Sequence, residues 1–231
     1  MNEAEDLFDE YAAAYEQALS AAIAPSGESR EYFAEGRVAW LKRCLGELGV
    51  RVESILDFGC GDGSTTPLLL NALNAKSAIG VDVSAKSLEI ARKLRGSERI
   101  RYEAIGVFQS SCDIDLAYCN GVFHHIQPVQ RATALAIVRR AIRPRGFFSF
   151  WENSPWSLAT RYVMSRCAFD RDAILLSPPR ARALLRDAGF EIVRTDFRFI
   201  FPRVLQAFRK IEDWVYRVPI GTQYQILCRK N

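Results

Sequence analysis

The sequence predicts an α/β domain, a parallel sheet covered by helices on both faces. Three observations predict it. Between Val52 and Glu152, apolar runs of strand length alternate with segments of helical period, and that alternation makes crossover units. The chain has 231 residues, 49% hydrophobic and 25% charged, which suits one soluble domain with a sizeable core. A glycine-dense turn, GCGDG at Gly59–Gly63, follows the first strand directly, where an open parallel sheet binds its ligands.

The elements follow in order. LFDEYAAAYEQAL places Leu7, Phe8, Tyr11, Tyr15 and Leu19 on one helical face. Pro25 and Gly27 break the pattern, and a second amphipathic helix is expected from about Glu31 to Leu48. VESILDF reads as a buried strand, STTPLLLNALN as a helix from near Ser64, SAIGVDV as a strand and AKSLEIARKLR as a helix. RIRYEA and DIDLAYCN read as strands. PVQRATALAIVRRAI is a helix bounded by Pro128 and Pro144, and GFFSFWE is the fifth strand. Beyond it, SPWSLATRYVMSRCAF reads as a cap helix and SPPRARALLRDAGF as a helix capped by Ser177 and ended by Gly189. EIVRTDFRFIF and TQYQILCRK complete seven strands, with RVLQAFRKIEDWVYRV as a helical insertion between them. The expected organisation is a single domain over 1–231. It has an N-terminal helical lid (1–50), a ligand-binding core (51–152) and a region of cap helix, final helix and terminal strands (153–231).

Composition narrows the function classes. A net charge of +4 without a polybasic run argues against nucleic-acid binding. Six scattered cysteines with no C-x-x-C pair suit reduced thiols rather than a zinc site or disulfides. The acidic opening MNEAEDLFDEY is not a secretory signal, and no apolar run approaches the roughly 18–20 residues of a membrane span. The expectation is a cytoplasmic protein without membrane insertion.

The glycine turn has G-x-G-x-G spacing, one residue shorter than the dinucleotide fingerprint, and lacks the lysine of a phosphate-binding loop. The second strand ends GVDVS, placing Asp82 where a carboxylate accepts from ribose hydroxyls. The turn alone leaves dinucleotide and ligand-free readings open. The ordered set of strand, Asp57, glycine turn, helix, strand and Asp82 is more specific.

ILDFGCGDGS followed by GVDVS resembles the class I S-adenosylmethionine-dependent methyltransferases, over most of the chain. The resemblance implies a Rossmann-like three-layer sandwich, its seven-stranded, mostly parallel sheet ending in an antiparallel hairpin. It implies S-adenosyl-L-methionine as cofactor. Gly59, Cys60, Gly61 and Gly63 would pass beneath it, with Asp82 on the ribose, Val83 beside adenine and Asp57 reaching the amino group. Asn120 and Gly121 would meet the methionine end, and Arg37 is a loose match for a basic residue on the cofactor carboxylate. Many relatives carry an acid after strand three; here Glu103 comes early and Ile105 stands nearer that place.

Methyl transfer to an atom bearing a proton needs alignment and a proton acceptor. His124 and His125, the only histidines, follow strand four in GVFHHI, and packing or catalysis is open for each. The resemblance favours His125, closed over by a tyrosine: Tyr15, Tyr11 or Tyr32. Glu152 and Asn153 are candidates to orient or deprotonate the acceptor, Trp151 and Trp156 to wall the pocket, and Arg161 and Arg166 to meet an anionic group. Asp113 and Asp115 lie at the wrong end of strand four for a metal-assisted mechanism, so no metal is expected. The leading function is methyl transfer to a small molecule, O- before N-methylation. A non-catalytic cofactor-binding partner protein and a nicotinamide-dependent dehydrogenase are the alternatives.

Overall fold

The computed structural model describes residues 21–109, 111–167, 170 and 173–231. The segment carrying Tyr11 and Tyr15 lies outside the described residues. One seven-stranded sheet has the order β3-β2-β1-β4-β5-β7-β6. Its strands are β1 (Ser54–Phe58), β2 (Ser77–Asp82), β3 (Ile100–Ala104), β4 (Ile114–Asn120), β5 (Ile142–Asn153), β6 (Phe190–Arg198) and β7 (Gln223–Lys230). The first five pair in parallel, while β7 runs antiparallel to both β5 and β6. The expected fold class holds, terminal hairpin included.

Strand alternation divides the core in two. Ile55, Leu116 and Trp151 face one side, with Leu41 and Leu45 of α1 (Arg30–Glu47), Leu69 of α2 (Thr66–Ala72) and Leu88 of α3 (Ala85–Arg95). Leu56, Ala117 and Phe150 face the other, with Leu135 and Val138 of α4 (Arg131–Ala141) and Leu185 of α6 (Pro178–Asp187). Between α4 and α6 in the chain lies α5 (Leu158–Arg166), which carries the expected cap. Each fully buried Leu or Phe contributes about 1.5–3 kcal/mol, so the sheet is held from both faces.

Three boundaries differ from the sequence reading. α2 begins at Thr66 rather than near Ser64, because Asp62 first closes a turn onto the Ser64 N–H (3.1 Å). Strand β5 begins at Ile142, before the expected GFFSFWE segment, so that Pro144, just past the end of α4, lies within the strand. The pairing jumps from Ile114↔Ile142 to Leu116↔Phe147, and the looped-out residues accommodate a proline that cannot donate to the ladder. The insertion between β6 and β7 is a 3-10 segment, Arg203–Phe208, running into a short α7 (Arg209–Val215).

The order of strands reverses beside β1, since β2 and β4 flank it on opposite sides. The carboxyl ends of β1 and β4 therefore diverge around a crevice, and the glycine turn and the GVFHHI segment both open into it.

Candidate active site

The crevice is a cavity of about 1210 Å³. A single-ligand pocket spans roughly 300–1,000 Å³, so this one has room for two reactants. Its floor is the glycine turn. Gly59, Gly61 and Gly63 all have left-handed φ values, of 74°, 54° and 74°. A Cβ on Gly59 would lie 2.4 Å from Val122 and one on Gly63 2.6 Å from the Tyr102 hydroxyl, so packing alone demands those two glycines. A Cβ on Gly61 would meet no atom within 4 Å. Gly61, on the cavity wall, is where the backbone is bared toward a ligand.

Asp82 closes one end of the turn. Its Oδ2 accepts from the Gly61 N–H (2.8 Å) and its Oδ1 from the Ser84 N–H (2.9 Å), which fixes the carboxylate at the cavity wall. Val83 and Ile105 line the cavity beside it, while Glu103 does not. Cys60 contributes backbone; its thiol turns inward toward Gly80, and burial pushes it well above the ordinary range.

At the other end Asp57 is buried and accepts from the Thr66 hydroxyl (2.7 Å). Burial is the main cause that pushes its carboxyl up to about 7. A cation placed beside it would restore the ionised form. Arg37 donates to the Tyr118 hydroxyl (3.1 Å) and to Gln223 Oε1 (3.0 Å) and lines the same wall. Asn120, at the end of β4, has a buried Oδ1 with no hydrogen-bond partner among the described residues. Gly121 follows it on the wall. A bared turn, a ribose-type carboxylate, a carboxyl awaiting a cation and an orphan acceptor fit a nucleoside carrying a cationic amino-acid tail.

Beyond this floor the wall changes character. His124 Nδ1 lies 2.6 Å from Glu152 Oε2, and Glu152 Oε1 accepts from the Phe123 N–H (2.7 Å). Burial opposes a charge on His124, but Glu152 and Asp170 outweigh it and hold the ring up to about 9. Asp170 Oδ1 stands 3.6 Å from His124 Nε2 and 3.5 Å from His125 Nε2. Burial and the neighbouring imidazolium push His125 down to about 3, so it is neutral at physiological pH. Arg131 fixes this segment by donating to the carbonyls of Phe123 (3.0 Å), Ile126 (2.9 Å) and Ile174 (2.8 Å). The His124, His125 and Asp170 ligand atoms lie within 4.8 Å of one another, a spacing that also suits one divalent cation.

Several sequence expectations are corrected here. Glu152 is wholly buried and faces His124, not the cavity, because its place in β5 turns it beneath the GVFHHI loop. Trp151 is in the core and Trp156 stacks on Phe197 at the surface, so neither walls the pocket. Arg161 and Arg166 flank a separate shallow depression. Asn153 and Tyr32 do line the cavity, but the ring contacts of Tyr32 are with Phe33 and Phe199. Asp115 sits at the opposite end of β4, accepting from the N–H groups of Glu53 and Ser54.

Sequence reading missed Asp170, Phe199 and Phe201. All three line the cavity from segments without a motif. The one sequence trace of Phe199 is Gly36, a glycine inside α1, where an added Cβ would meet the Phe199 ring at 2.7 Å.

A glycine turn at the switch point of a doubly wound sheet, with an acid at the end of each of the first two strands, makes this a Rossmann-like fold with a candidate nucleoside site. The family described as a methyltransferase domain matches residues 56–148, which run from β1 into β5. The O-methyltransferase cnsE of Penicillium expansum is 29% identical over 170 residues, 68% of this chain and 60% of that protein. A trans-aconitate 2-methyltransferase of Azoarcus sp. (strain BH72) is 26% identical over 125 residues, 53% of this chain and 49% of that one. The chain thus spans about half to three fifths of these curated relatives. A solved S-adenosylmethionine-dependent methyltransferase of Thermotoga maritima superposes with a TM-score of 0.67 at 18% identity, covering 99% of this chain and 100% of that one. Over residues 56–148 the chain is thus similar to the methyltransferase-domain family, and its fold is that of solved S-adenosylmethionine-dependent methyltransferases.

Proposed function

We propose that this enzyme methylates a small, partly apolar acceptor at an oxygen, with His125 receiving the acceptor's proton. The observation that carries the reading is the continuity of one cavity from Gly61 and Asp82 to His125 and Asp170. The bound cofactor supplies an electrophilic methyl on a sulfonium. Asp82 holds its ribose, Asp57 and Asn120 its ammonium, and Arg37 its carboxylate. Tyr162, Val163, Phe199 and Phe201 wall the acceptor side and exclude water, which favours alignment of a compact molecule. His125 would take the acceptor oxygen's proton and Asp170 would stabilise the resulting imidazolium; the methyl would come from S-adenosylmethionine, the electrons of its broken C–S bond staying on the departing S-adenosylhomocysteine. Glu152 holds His124, and so the loop that carries His125, in place. Of the two curated relatives described above, one is named as an O-methyltransferase and the other for trans-aconitate, a small molecule, which supports this acceptor class.

The test is a screen of small hydroxyl, carboxyl and amine acceptors with methyl-labelled cofactor, repeated with His125→Ala. General-base removal costs about 10²–10⁴-fold in turnover. An unchanged rate would remove His125 from the reaction, and exclusive labelling of amines would reassign the acceptor atom. Turnover is expected to survive EDTA. Loss restored by Mg²⁺ or Zn²⁺ would reassign His124, His125 and Asp170 as ligands. Cofactor binding with no acceptor labelled would favour a non-catalytic partner protein.

A further inference from the structure

The surface is not evenly apolar. Between Arg203 and Ile220 the side chains of Val204, Leu205, Phe208, Ile211, Trp214 and Val218 are all exposed, Val204 to 86% and Trp214 to 85%. Elsewhere among the described residues, exposed large apolar side chains are scattered along the chain. Phe208, Ile211 and Trp214 recur at three-residue spacing and so share one side of the short helix. Arg203, Lys210 and Arg217 are exposed among them. The one exposed acid of the stretch, Asp213, is paired with Arg198 (2.9 Å) and Arg43 (3.6 Å).

The insertion is firmly anchored and communicates with the cavity. Buried Glu212 accepts from the N–H groups of Phe199 (3.2 Å), Ile200 (3.1 Å) and Phe201 (3.0 Å), all three of which line the cavity. Phe201 packs on Phe208 with ring centroids 6.0 Å apart, so cavity wall and outer face share an aromatic pair.

We propose that the Arg203–Ile220 insertion docks the protein on an anionic lipid surface, with Phe208 and Trp214 entering the interface and Arg203, Lys210 and Arg217 meeting headgroups. Exposed aromatic and basic side chains in one stretch provide the two signals that stable peripheral binding needs, apolar burial and electrostatic attraction. A second copy of this chain suits the face poorly, because a two-fold contact would oppose its cations to each other. No described helix is long and apolar enough to span, so contact is from one side. The docking stands independently of methyl transfer. That an amphiphilic acceptor then enters past Phe208 and Phe201 rests on the acceptor-site reading above.

Co-sedimentation with phosphatidylcholine vesicles, with and without about a third phosphatidylglycerol, tests this directly. The protein is expected to pellet with the anionic vesicles, less so as salt rises, and to stay in solution with pure phosphatidylcholine. The double variant Val204→Ser/Trp214→Ser, at the two most exposed apolar positions of the face, is expected to partition about tenfold or more weakly, with S-adenosylhomocysteine affinity and melting temperature unchanged. Wild-type protein that ignores anionic vesicles, or a double variant that pellets like wild type, overturns the proposal. So does a wild-type dimer that the double variant makes monomeric, which would assign the face to self-association. Loss of S-adenosylhomocysteine binding in wild type would instead overturn the cofactor reading and leave the docking result standing.

Discussion

The two halves of the cavity are built by different means. The half proposed for the cofactor is local: Asp57 to Gly63 and Asp82 to Ser84 are short stretches at the ends of adjacent parallel strands, and much of what they offer is backbone. The half proposed for the acceptor is assembled from side chains far apart in sequence, His125 after β4, Asp170 after α5 and Phe199 after β6. A local backbone site is preserved by few residues and binds one class of ligand. A non-local side-chain site changes with each segment, and the same fold can thereby serve many acceptors. Changes in the first half should therefore act on cofactor affinity and changes in the second on turnover.

The largest effect is expected from Asp82→Ala. It removes two charge-assisted acceptors for the ribose and frees the Gly61 N–H, so affinity for S-adenosylhomocysteine should fall about 10²–10³-fold by calorimetry. Glu152→Gln comes next. It keeps an acceptor for the Phe123 N–H but removes the charge that holds His124, so turnover should fall about 10–100-fold while cofactor affinity moves no more than about threefold. Equal losses in both quantities would break the division into halves.

The third effect is one of pH. Asp57, raised from 3.8 to about 7 by burial, must ionise to meet a cationic cofactor. Affinity should then weaken by up to about tenfold between pH 7 and pH 6, with proton release on binding below pH 7. The sign is opposite for stability without cofactor. The folded state holds this proton more tightly than the unfolded chain, so the Asp57 contribution to stability declines as pH rises from about 4 to 7 and is flat above. Asp57→Asn should abolish both dependences. The smallest effect is Gly61→Ala, about 1–2 kcal/mol of stability from its left-handed φ alone, because the added methyl meets nothing.

What the sequence disclosed follows the same division. The turn, Asp57 and Asp82 were legible because their spacing along two strands is already their spacing in space. The parallel sheet was legible because strands alternate with helices, and the terminal hairpin because of the family resemblance; the strand order comes from the structure. The position of Glu152 at the end of β5 was legible, but its direction was not: pairing with Tyr224 of β7 turns it beneath the histidine loop, and only the assembled sheet determines that. Asp170 and Phe201 were illegible because nothing near them in sequence marks them. They reach the cavity through long-range ties such as Ile174 to His124 (2.8 Å) and Glu212 to Phe201 (3.0 Å).

The central claim is that this chain binds a nucleoside cofactor in a local site separable from its acceptor machinery. Calorimetric titration of S-adenosylhomocysteine into wild type, Asp82→Ala and His125→Ala tests it most directly. The account predicts one site per chain in wild type, nearly lost in Asp82→Ala and unchanged in His125→Ala, with no heat from NAD. Binding of NAD instead, or equal loss in the two variants, would contradict it.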